Sequence, residues 1–289
     1  MIMRDGAVAV GPDRRRVLAG GLAVGAAAAA GGRAAALTTG DLAWEVGLAR
    51  ADYQALFDRM AAKKWRPTHV DAWSLGGSPR LSAVFTPSDG RGWQARHDLT
   101  LSAYRALDAE MASKGLRPAR VRGYEKNGEL RFAALWDGGH GPAREAHVEM
   151  TKAEHQKTFD RLVAAGYHPV SVAGYAVGGA TRFASIYEAQ RPGAFESWNE
   201  LTAAGFQTKF DALNAKGYGP DRVNIYRNGH DTMFGAIWRP TTARWQCRHN
   251  LTYEAFIKAD TTFRAQGYRL ADVAGCESGG TNRYIALWR

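Results

Sequence analysis

The chain repeats itself. Five ungapped windows of 35 residues, 51–85, 102–136, 153–187, 204–238 and 254–288, align at spacings of 51, 51, 51 and 50 residues. A fixed period of this size decides architecture before any local reading does, because each copy is one supersecondary unit that must stack on its neighbours to bury its apolar face. The third position of the window holds Tyr53, Tyr104, His155, Phe206 and Phe256, and the twentieth holds Val70, Val121, Val172, Val223 and Val273. The last is always aromatic: Phe85, Trp136, Tyr187, Trp238 and Trp288.

The punctuation of each window translates into elements. Tyr53, Leu56 and Met60, like Tyr104, Leu107 and Met111, fall at i, i+3 and i+7, the apolar stripe of an amphipathic helix. Thr100, Thr151, Thr202 and Thr252 stand at its N-cap, and Thr151 with Glu154 has the spacing of a capping box. Gly115, Gly166, Gly217 and Gly267 suit the left-handed residue that ends a helix, whereas Lys64 breaks this pattern in the first copy. Two β-rich runs follow around Gly76-Gly77, Asn127-Gly128, Gly178-Gly179, Asn228-Gly229 and Gly279-Gly280, a hairpin signal. The 15 or 16 residues joining windows add a third run, such as Trp93 to Leu99. The expected fold is α+β: five tandem repeats, about 41–85, 92–136, 143–187, 194–238 and 244–288, each an amphipathic helix with a short antiparallel three-stranded sheet, stacked into a curved arc or ring. Together they form a single domain, 37–289.

Residues 1–36 differ from the rest. A basic head with Asp13-Arg14-Arg15-Arg16-Val17-Leu18 precedes an Ala/Gly-rich apolar run and an Ala34-Ala35-Ala36 triplet, the layout of a signal peptide. The head resembles the twin-arginine export motif, which implies a chain that folds before export to a periplasmic or extracellular location. The segment is too short and weak to span a bilayer. The whole chain has 38 Lys and Arg against 28 acids; without the five arginines and two aspartates of the leader, 33 bases face 26 acids, a net +7. That excess permits an anionic polymer as partner without proving one; nucleic-acid binding is a third possibility that would require a continuous basic stripe, and no nucleic-acid partner is expected. The two cysteines, Cys247 and Cys276, leave two readings in an oxidising compartment: a disulfide, or two small buried thiols.

The recurring Trp, Arg-His, Leu-Thr, then Gly-Tyr, Gly-Gly, Arg-Phe/Tyr and Ala-Leu-Trp resembles a bacterial tandem repeat found in polyglycine hydrolase-like proteins. Trp93, Arg96-His97 and Leu99-Thr100 carry it in the second copy, Gly174-Tyr175, Gly178-Gly179 and Arg182-Phe183 in the third. In the fifth copy it rests on Trp245, Arg248-His249, Leu251-Thr252, Gln266-Gly267-Tyr268 and Arg283 to Trp288. In fungal polyglycine hydrolases such repeats accompany a β-lactamase-like domain with the serine nucleophile. These 289 residues contain no counterpart of that domain, so the resemblance transfers no catalytic residue.

The residues themselves offer no catalytic signature. No serine after residue 36 is followed at i+3 by lysine, and no G-x-S-x-G, Walker loop, G-x-G-x-x-G or H-E-x-x-H occurs. His140, His147 and His155 match no familiar zinc spacing, and no metal or cofactor is expected. His97 and His249 occupy one repeat position, where Val46, Val148 and Asn199 stand in other copies, a pattern that favours packing over chemistry. A column of Arg80, Arg131, Arg182 and Arg283, with Met233 in the fourth copy, sits beside the last strand's aromatic. It either pairs with acids such as Glu125 and Glu277 or presents regularly spaced cations to a polymer. The expectation is a monomeric, secreted binding or scaffold protein for an extracellular peptide or anionic cell-wall polymer, with no catalysis of its own. The alternative is a hydrolase of glycine-rich peptides, by analogy with the family.

Overall fold

The computed structural model describes residues 9–10, 37–39, 42–190 and 193–289. The expected twin-arginine motif and cleavage site lie outside the described residues. In the first unit a leading strand β3 (Leu42–Leu48) enters helix α1 (Arg50–Ala62), and β4 (Trp65–Leu75) and β5 (Ser78–Pro87) form the hairpin. The second unit repeats this as β6 (Trp93–Leu99), α2 (Leu101–Ser113), β7 (Arg117–Lys126) and β8 (Glu129–Asp137). The third comprises β9 (Arg144–Met150), α3 (Lys152–Ala164), β10 (Tyr167–Val177) and β11 (Ala180–Ala189). The fourth comprises β12 (Glu196–Leu201), α4 (Ala203–Ala215), β13 (Tyr218–Asn228) and β14 (Asp231–Pro240). The fifth comprises β15 (Gln246–Leu251), α5 (Tyr253–Ala265), β16 (Leu270–Ser278) and β17 (Thr281–Trp288). Two short strands, β1 (Ala9–Val10) and β2 (Leu37–Thr39), pair with the leading strands β15 and β3. Ala9–Val10 lies against the outer edge of β15, an edge that offers a template to an extended segment.

Within every unit the second hairpin strand is central, flanked by the leading strand and the first hairpin strand, all antiparallel. The leading strand bulges before its helix at a left-handed residue, Gly47, Asp98, Glu149, Glu200 or Asn250. Thr100, Thr151, Thr202 and Thr252 cap the helices through their side-chain oxygens, and the Thr151–Glu154 capping box is formed in both directions. Lys64, with φ of 58°, adopts the same left-handed conformation as the four glycines that end the other helices. In the fourth unit the turn pair is Gly229-His230, one residue beyond the expected Asn228-Gly229, because β13 continues through Asn228. The five terminal aromatics, Phe85, Trp136, Tyr187, Trp238 and Trp288, are all buried.

The units contact one another in cyclic order. β4 packs on β7, β7 on β10, β10 on β13, β13 on β16, and β16 on β4. A fit of small against large residues makes each contact. Gly123 faces the Tyr175 ring of the next unit, Gly174 faces Tyr226, and Gly275 of the fifth unit faces Trp73 of the first, so closely that a Cβ at any of the three would overlap the ring. At the equivalent positions Ala72 shares a buried cluster with Tyr124, while Ile225 shares one with Cys276. Where the small residue becomes isoleucine, the aromatic becomes cysteine, which conserves the volume of the pair.

That exchange explains one cysteine, and topology explains why it is not bonded to the other. Cys247 and Cys276 are free, buried thiols in one apolar cluster. They lie on β15 and β16, the two strands that flank β17, opposite Leu287 and Arg283 respectively. Two strand spacings of about 4.8 Å each put their backbones beyond the ~7 Å reach of a disulfide. Burial pushes both thiols up to about 12.

The first hairpin strands bring alternate side chains together in three tiers of five. The outer tier of aromatic residues is Trp73, Tyr124, Tyr175 and Tyr226, with Cys276 completing it. The middle tier is Asp71, Arg122, Ala173, Asn224 and Ala274, and the inner tier is His69, Arg120, Ser171, Arg222 and Asp272. Buried Arg122 binds four units together: Nε donates to Ala72 O at 3.2 Å, Nη1 to Asn224 Oδ1, and Nη2 to Ile225 O at 2.7 Å and Gly275 O at 3.3 Å. Asp71 accepts from the Gly275 N–H at 2.8 Å and lies 3.4 Å from Arg122 Nε.

Candidate functional site

The arginine column is built into the hairpins. Arg80, Arg131 and Arg182 stand opposite Trp73, Tyr124 and Tyr175 in register, Arg283 opposite Cys276, and Met233 opposite Tyr226. Directly opposed residues share a face, so each arginine is half-buried beside its unit's outer-tier side chain. Arg80, Arg131 and Arg182 each donate to the carbonyl of the preceding residue, at 3.1, 2.9 and 3.1 Å, and Arg131 also pairs with Glu129. Glu125 and Glu277, the acids expected to pair with the column, do something else. Each accepts from the first turn N–H of the following unit, Gly178 at 2.8 Å and Gly76 at 3.0 Å. A turn with positive φ leaves this N–H unpaired, and a carboxylate from the neighbouring unit satisfies it.

The two repeated histidines have different surroundings. His249 is buried, packs edge-on against Phe206 and Phe234, and its Nε2 lies 3.2 Å from Gln207 Oε1. Burial and Arg248 hold its basicity below the usual range, so it is a neutral packing group. His97 packs edge-on against Tyr53 at 5.4 Å but lines an open groove. Burial, then Arg50, lowers its basicity too. His155, in the helical position taken elsewhere by Tyr or Phe, stacks on Phe183 at 4.8 Å. Among the described residues no cluster of three or more His, Cys, Asp and Glu side chains is arranged to hold a metal. No helix among them is long and apolar enough to cross a membrane.

A concavity lies between the first and second units. α1 of the first unit and β6 of the second enclose about 470 Å³, walled by Tyr53, Phe57, Trp93 and His97 with Arg50 and Arg96 at its edge. Between α3 and β12 the same construction recurs with about 300 Å³, walled by His155, Phe159, Phe183 and Trp198, with Lys152 in the place of Arg50. Gln54 and Gln156 are equivalent, as are Phe57 and Phe159. Each glutamine is braced by the acid one helical turn on, Asp58 or Asp160, at 2.9 and 2.8 Å. At two other junctions side chains meet across the equivalent space: Trp44 reaches Phe256 at 5.0 Å between the fifth and first units, and His249 meets Gln207 between the fourth and fifth. Ala95 and Ser197 line the two open grooves at the leading-strand position that Trp44 occupies in the first unit. An aromatic wall, an amide and a cation suit a peptide or another polymer with carbonyl and anionic groups.

The sequence pointed to His97 but not to this groove, whose walls come from two successive copies. A family model described as polyglycine hydrolase-like, structural repeat, matches five times, at residues 42–88, 90–138, 141–190, 192–241 and 242–289. The chain belongs to this repeat family. The five matches cover the units seen in the structure and support the resemblance in Trp93, Gly174-Tyr175 and Arg283 to Trp288. No curated protein matches the chain.

Proposed function

We propose that this protein is an exported binding module whose inter-unit grooves hold an extended peptide or cell-envelope polymer. The observation that carries the reading is the recurrence of one groove design two units apart, with Arg50 or Lys152, Gln54 or Gln156 and Phe57 or Phe159 in corresponding places. A polymer with repeating chemistry can use both, and two linked weak contacts bind far more tightly than either alone. Trp93 and Trp198 supply the broad apolar faces, and Arg50, Arg96 and Lys152 supply charge for carboxylate or phosphate. Export by the twin-arginine route follows from the leader sequence and would bring the module to such polymers.

The test is retention of glycine-rich peptides and purified cell-wall fragments on the full chain, followed by mass spectrometry. Retention of intact ligand, weakened at least tenfold by Trp93→Ala, supports the proposal. New fragments absent with boiled protein would replace it with a hydrolase, and retention unaffected by Trp93→Ala and Trp198→Ala would move the site elsewhere.

A further inference from the structure

The inner and middle tiers enclose a chamber of about 30 Å³, lined by residues from all five first hairpin strands. That exceeds the ~10–15 Å³ that a single water needs by this measure, and so leaves room for one small ion. Its walls carry three guanidinium groups, Arg120, Arg122 and Arg222, against two carboxylates, Asp71 and Asp272, while Asp221, 3.6 Å from Arg222, is shared with Arg239 and Arg289 at 3.2 Å each. The carboxylates are occupied. Asp272 accepts from the Val223 N–H at 2.9 Å, has His69 Nδ1 at 2.9 Å and Arg120 at 3.7 Å, while Asp71 is held by Gly275 and Arg122.

Several polar atoms of the cationic side are not occupied. Arg222 Nε and Asn224 Nδ2 are buried donors with no partner among the described residues. Asn224 uses its oxygen for Arg122, which fixes the amide and leaves the NH₂ as the free end. His69 Nε2 also lacks a partner among the described residues. Arg120 is buried beside the like charge of Arg222, and burial lowers its basicity to about 10. Orphaned buried donors cost about 1–3 kcal/mol each, and neighbouring cations largely removed from water add to that cost unless an acceptor with negative charge meets them.

We infer that this chamber is a site for one small monovalent anion of the halide class, bound by Arg222 Nε and Asn224 Nδ2. One negative charge offsets part of the excess of guanidinium groups, Arg120, Arg122, Arg222, Arg239 and Arg289, over the carboxylates of Asp71, Asp221 and Asp272. The same ion accepts from donors that the protein leaves unpaired, and it ties the fourth unit to the common centre. A neutral water would satisfy the donors without balancing the charge, so the two occupants are distinguishable.

Crystals of the full chain soaked in bromide, measured at the bromine absorption edge, decide the matter without a variant. An anomalous peak in the chamber within hydrogen-bond distance of Arg222 and Asn224 is the expected result. In solution, replacing gluconate by chloride at constant ionic strength raises the thermal midpoint, and Asn224→Ala reduces that response. Water density with no bromide signal, together with a wild-type midpoint equal in the two salts, would overturn the inference.

Discussion

Closure between the fifth and first units can be tested with one methyl group. Gly275 is not in the left-handed region, so Gly275→Ala introduces no backbone strain. The new Cβ would stand 2.5, 2.5 and 2.8 Å from three atoms of the Trp73 ring, where carbon contacts normally begin near ~3.5 Å. The ring must retreat by about 1 Å, and it is held on its other side: Nε1 donates to Asn282 Oδ1 at 2.9 Å, and Tyr284 packs edge-on at 5.7 Å. Overpacking of this kind costs about 1–3 kcal/mol. Loss of the Trp73–Asn282 bond adds about 1 kcal/mol. The entropy that alanine removes from the unfolded chain returns about 0.4–1 kcal/mol. The expected net loss is about 2–3 kcal/mol, a fall in thermal midpoint of roughly 4–10 °C for a domain of this size. Equilibrium denaturant unfolding of Gly275→Ala beside Gly123→Ala, which meets Tyr175 in the same way, supplies the comparison. If Gly123→Ala is destabilised while Gly275→Ala stays within about 0.5 kcal/mol of the wild type, the first and last units do not bear on each other in solution.

Other outcomes follow from the same contacts. Cys276→Tyr alone should destabilise by about 1–3 kcal/mol against Ile225, whereas combining it with Ile225→Gly recreates the Gly174–Tyr226 pairing, so a double-mutant cycle should show favourable coupling above about 1 kcal/mol. Asp260→Ala removes the buried acceptor that Trp288 Nε1 meets at 2.9 Å and that Arg264 meets at 2.6 Å; calorimetry should show a loss of about 2–4 kcal/mol. Neither cysteine should react with a thiol reagent at pH 8 until the chain unfolds, read by mass spectrometry, since burial raises both to about 12. Burial lowers His155 to about 4, so the unfolded chain binds its proton first, and stability falls as pH drops from the ordinary histidine value near 6.5 towards 4. His155→Phe should flatten that part of the stability profile by up to about 3 kcal/mol, and an unchanged acid slope would remove His155 as its source.

The repeat, the Thr caps, the glycine stops and the hairpins were legible because each is written in residues close along the chain. Lys64 shows the limit of such punctuation: the four equivalent glycines fix the conformation, and the surrounding unit imposes it on a lysine. The pairing of Gly275 with Trp73 was not legible, since it joins residues 202 positions apart and depends on which face of β16 meets the next unit. Glu125 and Glu277 were read as partners for arginine by charge alone, yet the turn N–H of the following unit is the stronger claim on a carboxylate because it has no other acceptor. The grooves escaped notice for a related reason. Each is walled by the helix of one copy and the leading strand of the next, and an alignment that stacks the copies does not display which parts of successive copies meet.

Arg122 reaches residues of the first, fourth and fifth units from its place in the second. A linear solenoid frays from its ends and tolerates the loss of a terminal copy, but an array bound through its centre has no terminal copy to lose. Deleting the fifth unit would leave Arg122 without the Gly275 carbonyl and Trp73 without its glycine, so the cost would fall on the whole molecule. The covalent order of the units matters much less than their cyclic order. A chain permuted to begin at the second unit and end with the first keeps every one of these contacts, and the position of its ends becomes a choice of linkage, separable from the architecture.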